Sequence, residues 1–221
     1  MSLSVETAAS FAPEPARLPS AEPGRYSAVA IGLHWTSAGL ILLNLALGWT
    51  FRDYIPPVRR LVMSTHESIG LTVLILTVAR LGWRLSHRPP PFAAHLSRLE
   101  RRVATTVHLG FYALLLALPL AGWLTASAFP KPKPLALWGL PFPFAPLPTL
   151  SPEGRHALLN GSATIHGRLA WLFVAMLALH LAGALKHQLL DCDHGLSRMA
   201  PWLAPGTRKE LKVRQGFESG H

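Results

Sequence analysis

The chain has 221 residues, of which 50% are hydrophobic and only 14% are charged, with a formal net charge of +10. A soluble domain carries about a quarter charged residues, so this composition excludes an ordinary soluble protein and predicts an integral membrane protein. The single cysteine, Cys192, excludes a disulfide framework and any four-cysteine metal or iron–sulfur site, so a redox metal would depend on the 11 histidines.

The first part of the chain, residues 1–24, is rich in Ala, Pro, Ser and Glu and lacks the apolar core of a secretory signal. We therefore expect a disordered tail there. Residues 25–200 are expected to form the membrane domain, and residues 201–221 a basic cytoplasmic tail.

Four apolar segments follow the tail, each near the roughly 20 residues that a membrane-spanning helix needs. They are about Val29–Phe51, Ser64–Arg84, Val103–Phe129 and Ala163–Leu185. Pro119 predicts a kink in the third segment. The pattern predicts an all-α membrane protein, a bundle of four transmembrane helices.

The distribution of Lys and Arg predicts the orientation. Fourteen of these residues lie in the N-terminal tail, the 2–3 connection and the C-terminal region, and seven lie on the other side. The positive-inside rule then places both termini in the cytoplasm. The net positive charge is assigned to topology and lipid headgroups, and no nucleic acid is expected as a partner, because no basic helix or recognition motif accompanies the charge.

The connection between segments three and four, residues 130–154, carries Trp138, Phe142 and Phe144 among many prolines. It could be an extended linker or an amphipathic cap that lies on the outer leaflet. The aromatic residues favour the cap, because aromatic side chains collect at headgroup depth.

Four histidines lie inside the apolar segments, where an ionisable residue is costly and usually functional. Helix direction alternates, so His34 is expected near the cytoplasmic side and His66 near the outer side. His166 begins the fourth segment on the outer side, and His180 follows fourteen residues later. That offset is about 3.9 turns, so both share one helix face, with roughly 21 Å of rise between them.

Depth alone pairs His34 with His180 and His66 with His166. Two neutral imidazoles on facing helices can ligate a haem iron axially and leave no open position, which favours electron transfer. The pattern therefore predicts two six-coordinate haems stacked across the membrane. The alternative for any one intramembrane histidine is a hydrogen bond between helices.

Several further residues are candidates for secondary roles. Arg80 lies fourteen residues after His66 on the same face, and either binds a haem propionate or snorkels at the helix end. His108 is expected to contact a propionate or a quinone, with ligation in place of His34 as the alternative. His156 could compete with His166. A solvated position is expected for the histidines at segment ends and tails, which are His87, His95, His187, His194 and His221.

The stretches RYSAVAIGLHW, HESIGLTVLILTVARLGWRL, HLGFYALLLALPLAGW and HGRLAWLFVAMLALHLAGALKH resemble the prokaryotic cytochrome b561 family, which is related to the cytochrome b subunits of nickel–iron hydrogenases. The resemblance covers roughly residues 25–200. It implies a four-helix bundle in the bacterial inner membrane with two b-type haems, held by His34, His66, His166 and His180.

The resemblance also implies electron exchange with ubiquinone, and one type of member oxidises superoxide at the outer face. The long N-terminal tail and the proline-rich 3–4 connection look like departures from compact members, and that connection would cover an outer-face substrate site.

Two functional hypotheses follow. The first is an electron-transfer oxidoreductase that joins an outer-face donor, such as superoxide, to the ubiquinone pool. Cationic outer residues could steer superoxide, although ordinary loop solubility explains them as well; they are Arg52, Arg59, Arg60, Lys131, Lys133, Arg155 and Arg168. The second is a membrane-anchor cytochrome b subunit that relays electrons for a partner dehydrogenase or soluble cytochrome, since the sequence has no flavin or nicotinamide motif.

Overall fold

The computed structural model describes residues 26–87, 89–91, 96–130, 135–145, 147–189 and 198–203. Most of these residues belong to four α-helices. The helices are α1 (Ala28–Thr50), α2 (Pro56–Ser86), α3 (Arg98–Ser127) and α4 (Pro152–Leu189). Between α3 and α4 lies a short antiparallel hairpin, formed by β1 (Leu135–Leu137) and β2 (Leu140–Phe142). The expected N-terminal tail and most of the basic C-terminal tail lie outside the described residues.

Local sequence signals explain where three of the helices begin. The Ser27 hydroxyl accepts a hydrogen bond from the Ala30 amide at the start of α1. Pro56 starts α2, where the missing N–H of a proline costs nothing. Ser97 and Glu100 form a reciprocal capping box at the start of α3.

All four helices are long and apolar enough to cross a membrane, with mean hydropathies of 1.5 to 1.8 over their most apolar windows. Few of their side chains are buried inside the protein; α1 buries only Ser37. A helix that is apolar all round and little buried by its own fold faces lipid. The predicted four-helix membrane architecture is therefore confirmed.

The helices extend beyond the predicted apolar segments. α2 begins at Pro56 rather than near Ser64, and α4 begins at Pro152 rather than near Ala163. Apolar composition marks only the part of a helix within the hydrocarbon, whereas backbone hydrogen bonding continues into the polar interface. α3 remains helical through Pro119.

The helices pack in chain order: α1 on α2, α2 on α3 and α3 on α4. The core lies in the middle of the bundle. It consists of Ile69 and Val73 from α2, Leu114 and Leu115 from α3, and Phe173 from α4. α1 and α4 are thus the first and the last helix in this packing order. We call the end of the bundle where α1 begins and α4 ends the terminal end, and the opposite end the hairpin end.

The described part of the 3–4 connection folds back onto the helices, so an extended linker is excluded there. The Ser68 hydroxyl of α2 donates a hydrogen bond to the Ala136 carbonyl (2.9 Å) and accepts one from the Trp138 amide (3.3 Å). The Trp138 indole donates to the Thr72 hydroxyl (2.9 Å). Trp138 has a positive φ of 52° at the hairpin tip, a conformation that is uncommon for a bulky side chain.

Candidate functional site

At the hairpin end, α2 and α4 bring the side chains of His66 and His166 next to each other. The centroids of their rings are 6.1 Å apart, and the ring planes are inclined at 77°. His66 Nδ1 contacts the Asn44 carbonyl at 3.1 Å, and His166 Nδ1 contacts the Leu118 carbonyl at 2.9 Å. A carbonyl only accepts hydrogen bonds, so each Nδ1 carries the proton and each Nε2 keeps its lone pair for a metal.

Two glycines allow the neighbouring helices to approach these rings. A Cβ atom at Gly48 of α1 would lie 3.0 Å from His66 Cε1, and a Cβ atom at Gly122 of α3 would lie 3.2 Å from His166 Cε1. A larger residue at either position would press on the imidazole. All four helices therefore contribute to the orientation of the His66–His166 pair.

At the terminal end, α1 and α4 bring His34 and His180 together. Their ring centroids are 6.5 Å apart, with the planes inclined at 62°. His108 of α3 also approaches His180, at a centroid distance of 5.8 Å. The pairs expected from helix direction are thus neighbours in the structure, and the alternative partner His108 is a neighbour as well.

Arg80 lies within this terminal-end group. Its Nη2 donates a hydrogen bond to His34 Nδ1 at 3.3 Å, and its guanidinium lies 5.7 Å from the ring centroid of Tyr112. A guanidinium has no acceptor, so in this arrangement His34 Nδ1 accepts and the proton of neutral His34 sits on Nε2. Iron ligation through Nε2 would require Arg80 to leave Nδ1, for which a nearby anion such as a propionate is a suitable alternative partner.

Polar groups on α1 between the two histidine pairs lack partners. The Ser37 hydroxyl and the Asn44 side-chain carbonyl are buried, and neither has a hydrogen-bond partner among the described residues. Ser37 lies one turn after His34, on the same side of α1. Unpaired buried polar atoms are costly, so these positions are consistent with a bound group or water beside them.

The other histidines have different surroundings. His156 Nδ1 hydrogen-bonds to the Asn160 amide one turn along α4 (2.9 Å), and His87 stacks on Trp83 with ring centroids 3.7 Å apart. His95, His194 and His221 lie outside the described residues, as does the side chain of His187. Within the described residues, no three His, Cys, Asp or Glu side chains converge as a zinc site would require.

One of the predicted outer cations has a structural role. Arg59 donates hydrogen bonds to the carbonyls of Arg52 and Tyr54, which hold the turn between α1 and α2. Arg52 itself lies over the ring of Phe51 at 5.5 Å. Sequence reasoning also missed Asn44 and Leu118, because their contribution is a backbone carbonyl, which leaves no signature in residue type.

The chain is similar to several known proteins. A family profile described as prokaryotic cytochrome b561 matches residues 25–202. Cytochrome b561 homolog 2 of Escherichia coli K12 is 32% identical over 179 residues, which cover 80% of this chain and 92% of that protein. The probable superoxide oxidase CybB of Yersinia pestis is 27% identical, with 80% of this chain and 96% of that protein covered.

A shorter match, 41% identical over 69 residues, is to cytochrome b562 of Cereibacter sphaeroides, with 28% of this chain and 43% of that protein covered. The family profile spans all four helices and both histidine pairs. The chain therefore belongs to the prokaryotic cytochrome b561 family, whose members are haem-binding electron-transport proteins of the membrane.

Proposed function

We propose that this protein is a di-haem b cytochrome that transfers electrons between a donor at the outer face of the bacterial inner membrane and the membrane ubiquinone pool. The observation that carries the proposal is the pair of facing histidines at each of two levels in the bundle. Family membership already makes the chain an electron-transfer oxidoreductase that binds haem b; the number of haems and their ligands are the proposed part.

The spacing of the rings fits this cofactor. An imidazole nitrogen lies roughly 2 Å from a bound transition metal, so two rings on opposite sides of one iron have centroids roughly 6 Å apart. The observed separations are 6.1 Å for His66–His166 and 6.5 Å for His34–His180. A haem held by the two histidines of a pair would supply one-electron transfer.

The remaining residues of the site would orient these ligands. The carbonyls of Asn44 and Leu118 hold the Nδ1 protons of His66 and His166, which fixes the tautomer that leaves Nε2 free. Arg80 and His108 would bind a haem propionate or a quinone headgroup near His34 and His180. We assign both termini to the cytoplasm, which places the His34–His180 pair on the cytoplasmic side.

Superoxide is one proposed electron source, supported by the likeness to the probable superoxide oxidase CybB. The second candidate function is a membrane-anchor subunit that relays electrons for a partner dehydrogenase or a soluble cytochrome. Purification of the protein alone, followed by quinone reduction assays with superoxide, separates the two. Turnover without a partner supports the oxidoreductase, whereas turnover only with a co-purifying protein supports the anchor subunit.

Haem content tests the ligand assignment. The purified protein should contain two haem b per chain by the pyridine haemochrome assay, all extractable with acid acetone. His34→Ala and His66→Ala should each lose one haem, and reduced-minus-oxidised spectra should show that the two variants lose different components. A single haem in the parent, or the same component lost in both variants, contradicts the proposal.

A further inference from the structure

The residue after His34 connects α1 to a distant part of the chain. Trp35 donates a hydrogen bond from its indole N–H to the Met199 carbonyl (2.8 Å), 164 residues away in sequence. The ring of Trp35 also contacts the ring of His34, with centroids 5.4 Å apart. It also lies 5.6 Å from the ring of Trp202. His34 is thus linked through one side chain to residues 198–203, which we call the latch.

The latch is held at several points besides Trp35. Arg198 donates a hydrogen bond to the Pro91 carbonyl (2.7 Å) and lies 5.9 Å from the ring centroid of Tyr26. Ala200 is fully buried. The latch therefore contacts the start of α1 and the connection between α2 and α3, and it is packed against the protein rather than extended into solvent.

The position of the latch relates it to both histidines of the terminal-end pair. His180 lies on α4, which ends at Leu189. Further along the chain, Met199 of the latch lies against α1, where it bonds to Trp35 beside His34. Direct helix packing follows the order α1, α2, α3 and α4, so α1 and α4 are not among the closely packed helix pairs. The latch supplies a contact between the chain that leaves α4 and the helix that carries His34.

We infer that the latch closes the terminal end of the space between α1 and α4, and that Trp35 and Trp202 are positioning residues for the haem held by His34 and His180. This inference rests on the proposed ligand pairs. Trp35 contacts both the latch and the His34 ring, so the position of the latch affects the orientation of that ring. Trp202 packs against the indole of Trp35 and holds it in place.

Closure has a measurable consequence. Oxidation of a bis-histidine haem adds one positive charge, and a site shielded from water disfavours the more charged form. Opening of the latch admits water to the His34–His180 level, so it should lower the midpoint potential of that haem. The haem at the His66–His166 level lies about 21 Å away along α4 and should keep its potential.

The chain offers a matched control. Trp49 of α1 and Trp171 of α4 form a similar ring pair, with centroids 5.5 Å apart, and Trp171 is 66% exposed, close to the 62% of Trp202. Gly48, the residue before Trp49, and His166, five residues before Trp171, belong to the hairpin-end site. Trp171→Leu therefore removes the same amount of exposed indole from the bundle without touching the latch.

The test is a potentiometric titration of both haems in detergent-purified Trp202→Leu, Trp35→Phe and Trp171→Leu. Trp35→Phe keeps a ring against His34 but removes the N–H donor to Met199, and it provides a milder change if Trp202→Leu does not assemble. Components are assigned in a His66→Ala background, in which only the terminal-end haem remains.

The inference is supported if Trp202→Leu and Trp35→Phe lower the potential of the terminal-end haem alone, with the smaller fall in Trp35→Phe, while Trp171→Leu leaves that potential unchanged. It is overturned if neither latch variant changes that potential, or if both haems shift together in every variant. A wrong ligand assignment would be recognised separately. In that case His66→Ala would not leave a protein with one intact haem.

Discussion

The orientation of the hairpin-end histidines depends on backbone carbonyls rather than on side-chain partners. Asn44 and Leu118 each present a carbonyl to a histidine Nδ1, and a carbonyl cannot be removed by substitution of the side chain. This arrangement makes the protonated nitrogen insensitive to most changes in α1 and α3. The terminal-end pair differs, because there a side-chain cation, Arg80, contacts His34.

The pairing of the ligands gives the first prediction. His180→Ala should resemble His34→Ala, and His166→Ala should resemble His66→Ala, because the two histidines of each pair are the proposed ligands of one haem. Electron paramagnetic resonance should show one low-spin signal lost and the other retained. His156→Ala serves as the control and should keep both signals, since His156 bonds to Asn160 on its own helix.

His108 is the alternative partner of His180 in this prediction. It is closer to His180 than His34 is, at 5.8 Å against 6.5 Å between ring centroids. If His108→Ala abolished the terminal-end signal and His34→Ala retained it, the ligand at this level would be His108.

The second prediction concerns the close approach at Gly48. In Gly48→Ala the new methyl group would lie 3.0 Å from His66 Cε1, so the ring must give way by a few tenths of an ångström, which disturbs the contact of its Nδ1 with the Asn44 carbonyl. Weakening of such an orienting contact lowers metal affinity by about tenfold or more, so we expect reduced occupancy of the proposed hairpin-end haem on dilution or on transfer to apomyoglobin.

Gly39→Ala is the matched control for this change. Gly39 lies on the same helix, and a Cβ atom there would have open space around it. Equal haem loss in both variants would show that the loss follows either glycine-to-alanine change in α1, and would remove the specific role of Gly48.

At the scale of elements, the hairpin is the feature that could be predicted least well from the sequence. The sequence indicated aromatic residues at headgroup depth, but not that Ser68 and Thr72 would bind the hairpin to α2. Thr72 lies six residues beyond His66, about 9 Å further toward the terminal end, so the hairpin tip reaches past the level of the His66–His166 pair. Residues that alternate little between apolar and polar, as in LALWGLPF, carry no strand signal of their own.

The third prediction tests this attachment. Ser68→Ala removes a buried hydroxyl that both donates to Ala136 and accepts from Trp138, and it leaves those backbone groups without their partner. We expect a loss of about 1–3 kcal/mol in the free energy of unfolding, measured by denaturant titration in micelles. Ser64→Ala should change it little, because Ser64 is exposed and its hydroxyl bonds only to its own helix at Leu61. Equal losses in the two variants would mean that the hairpin contributes nothing through Ser68.

At the scale of the whole molecule, apolar length and histidine depth were sufficient to predict four helices and the two pairs of neighbouring histidines. Both follow from helix geometry, which is regular. The latch could not be predicted, because it depends on a hydrogen bond between Trp35 and a carbonyl 164 residues away. The partners of Arg59 and Arg80 were likewise beyond sequence reasoning, since long cationic side chains can reach many acceptors.

The fourth prediction is the topology. Lys and Arg are concentrated in the N-terminal tail, the 2–3 connection and the C-terminal region, in the proportion of fourteen to seven, so both termini should face the cytoplasm. A C-terminal fusion to green fluorescent protein should fluoresce, and a C-terminal fusion to alkaline phosphatase should be inactive. A phosphatase inserted in the 3–4 connection should be active, and the reverse pattern would invert the proposed orientation.

The fourteen-residue offset on α4 also determines how the cytochrome responds to the membrane voltage. About 21 Å separates His166 from His180, which is roughly two-thirds of a hydrocarbon core of about 30 Å. The electrostatic energy of one charge changes by about 2.3 kcal/mol per 100 mV when it crosses the whole membrane. For an electron that moves between these two levels, the change is about 1.5 kcal/mol per 100 mV. In the proposed orientation an inward electron moves toward the negative side, so an energised membrane slows inward transfer and favours the outward direction.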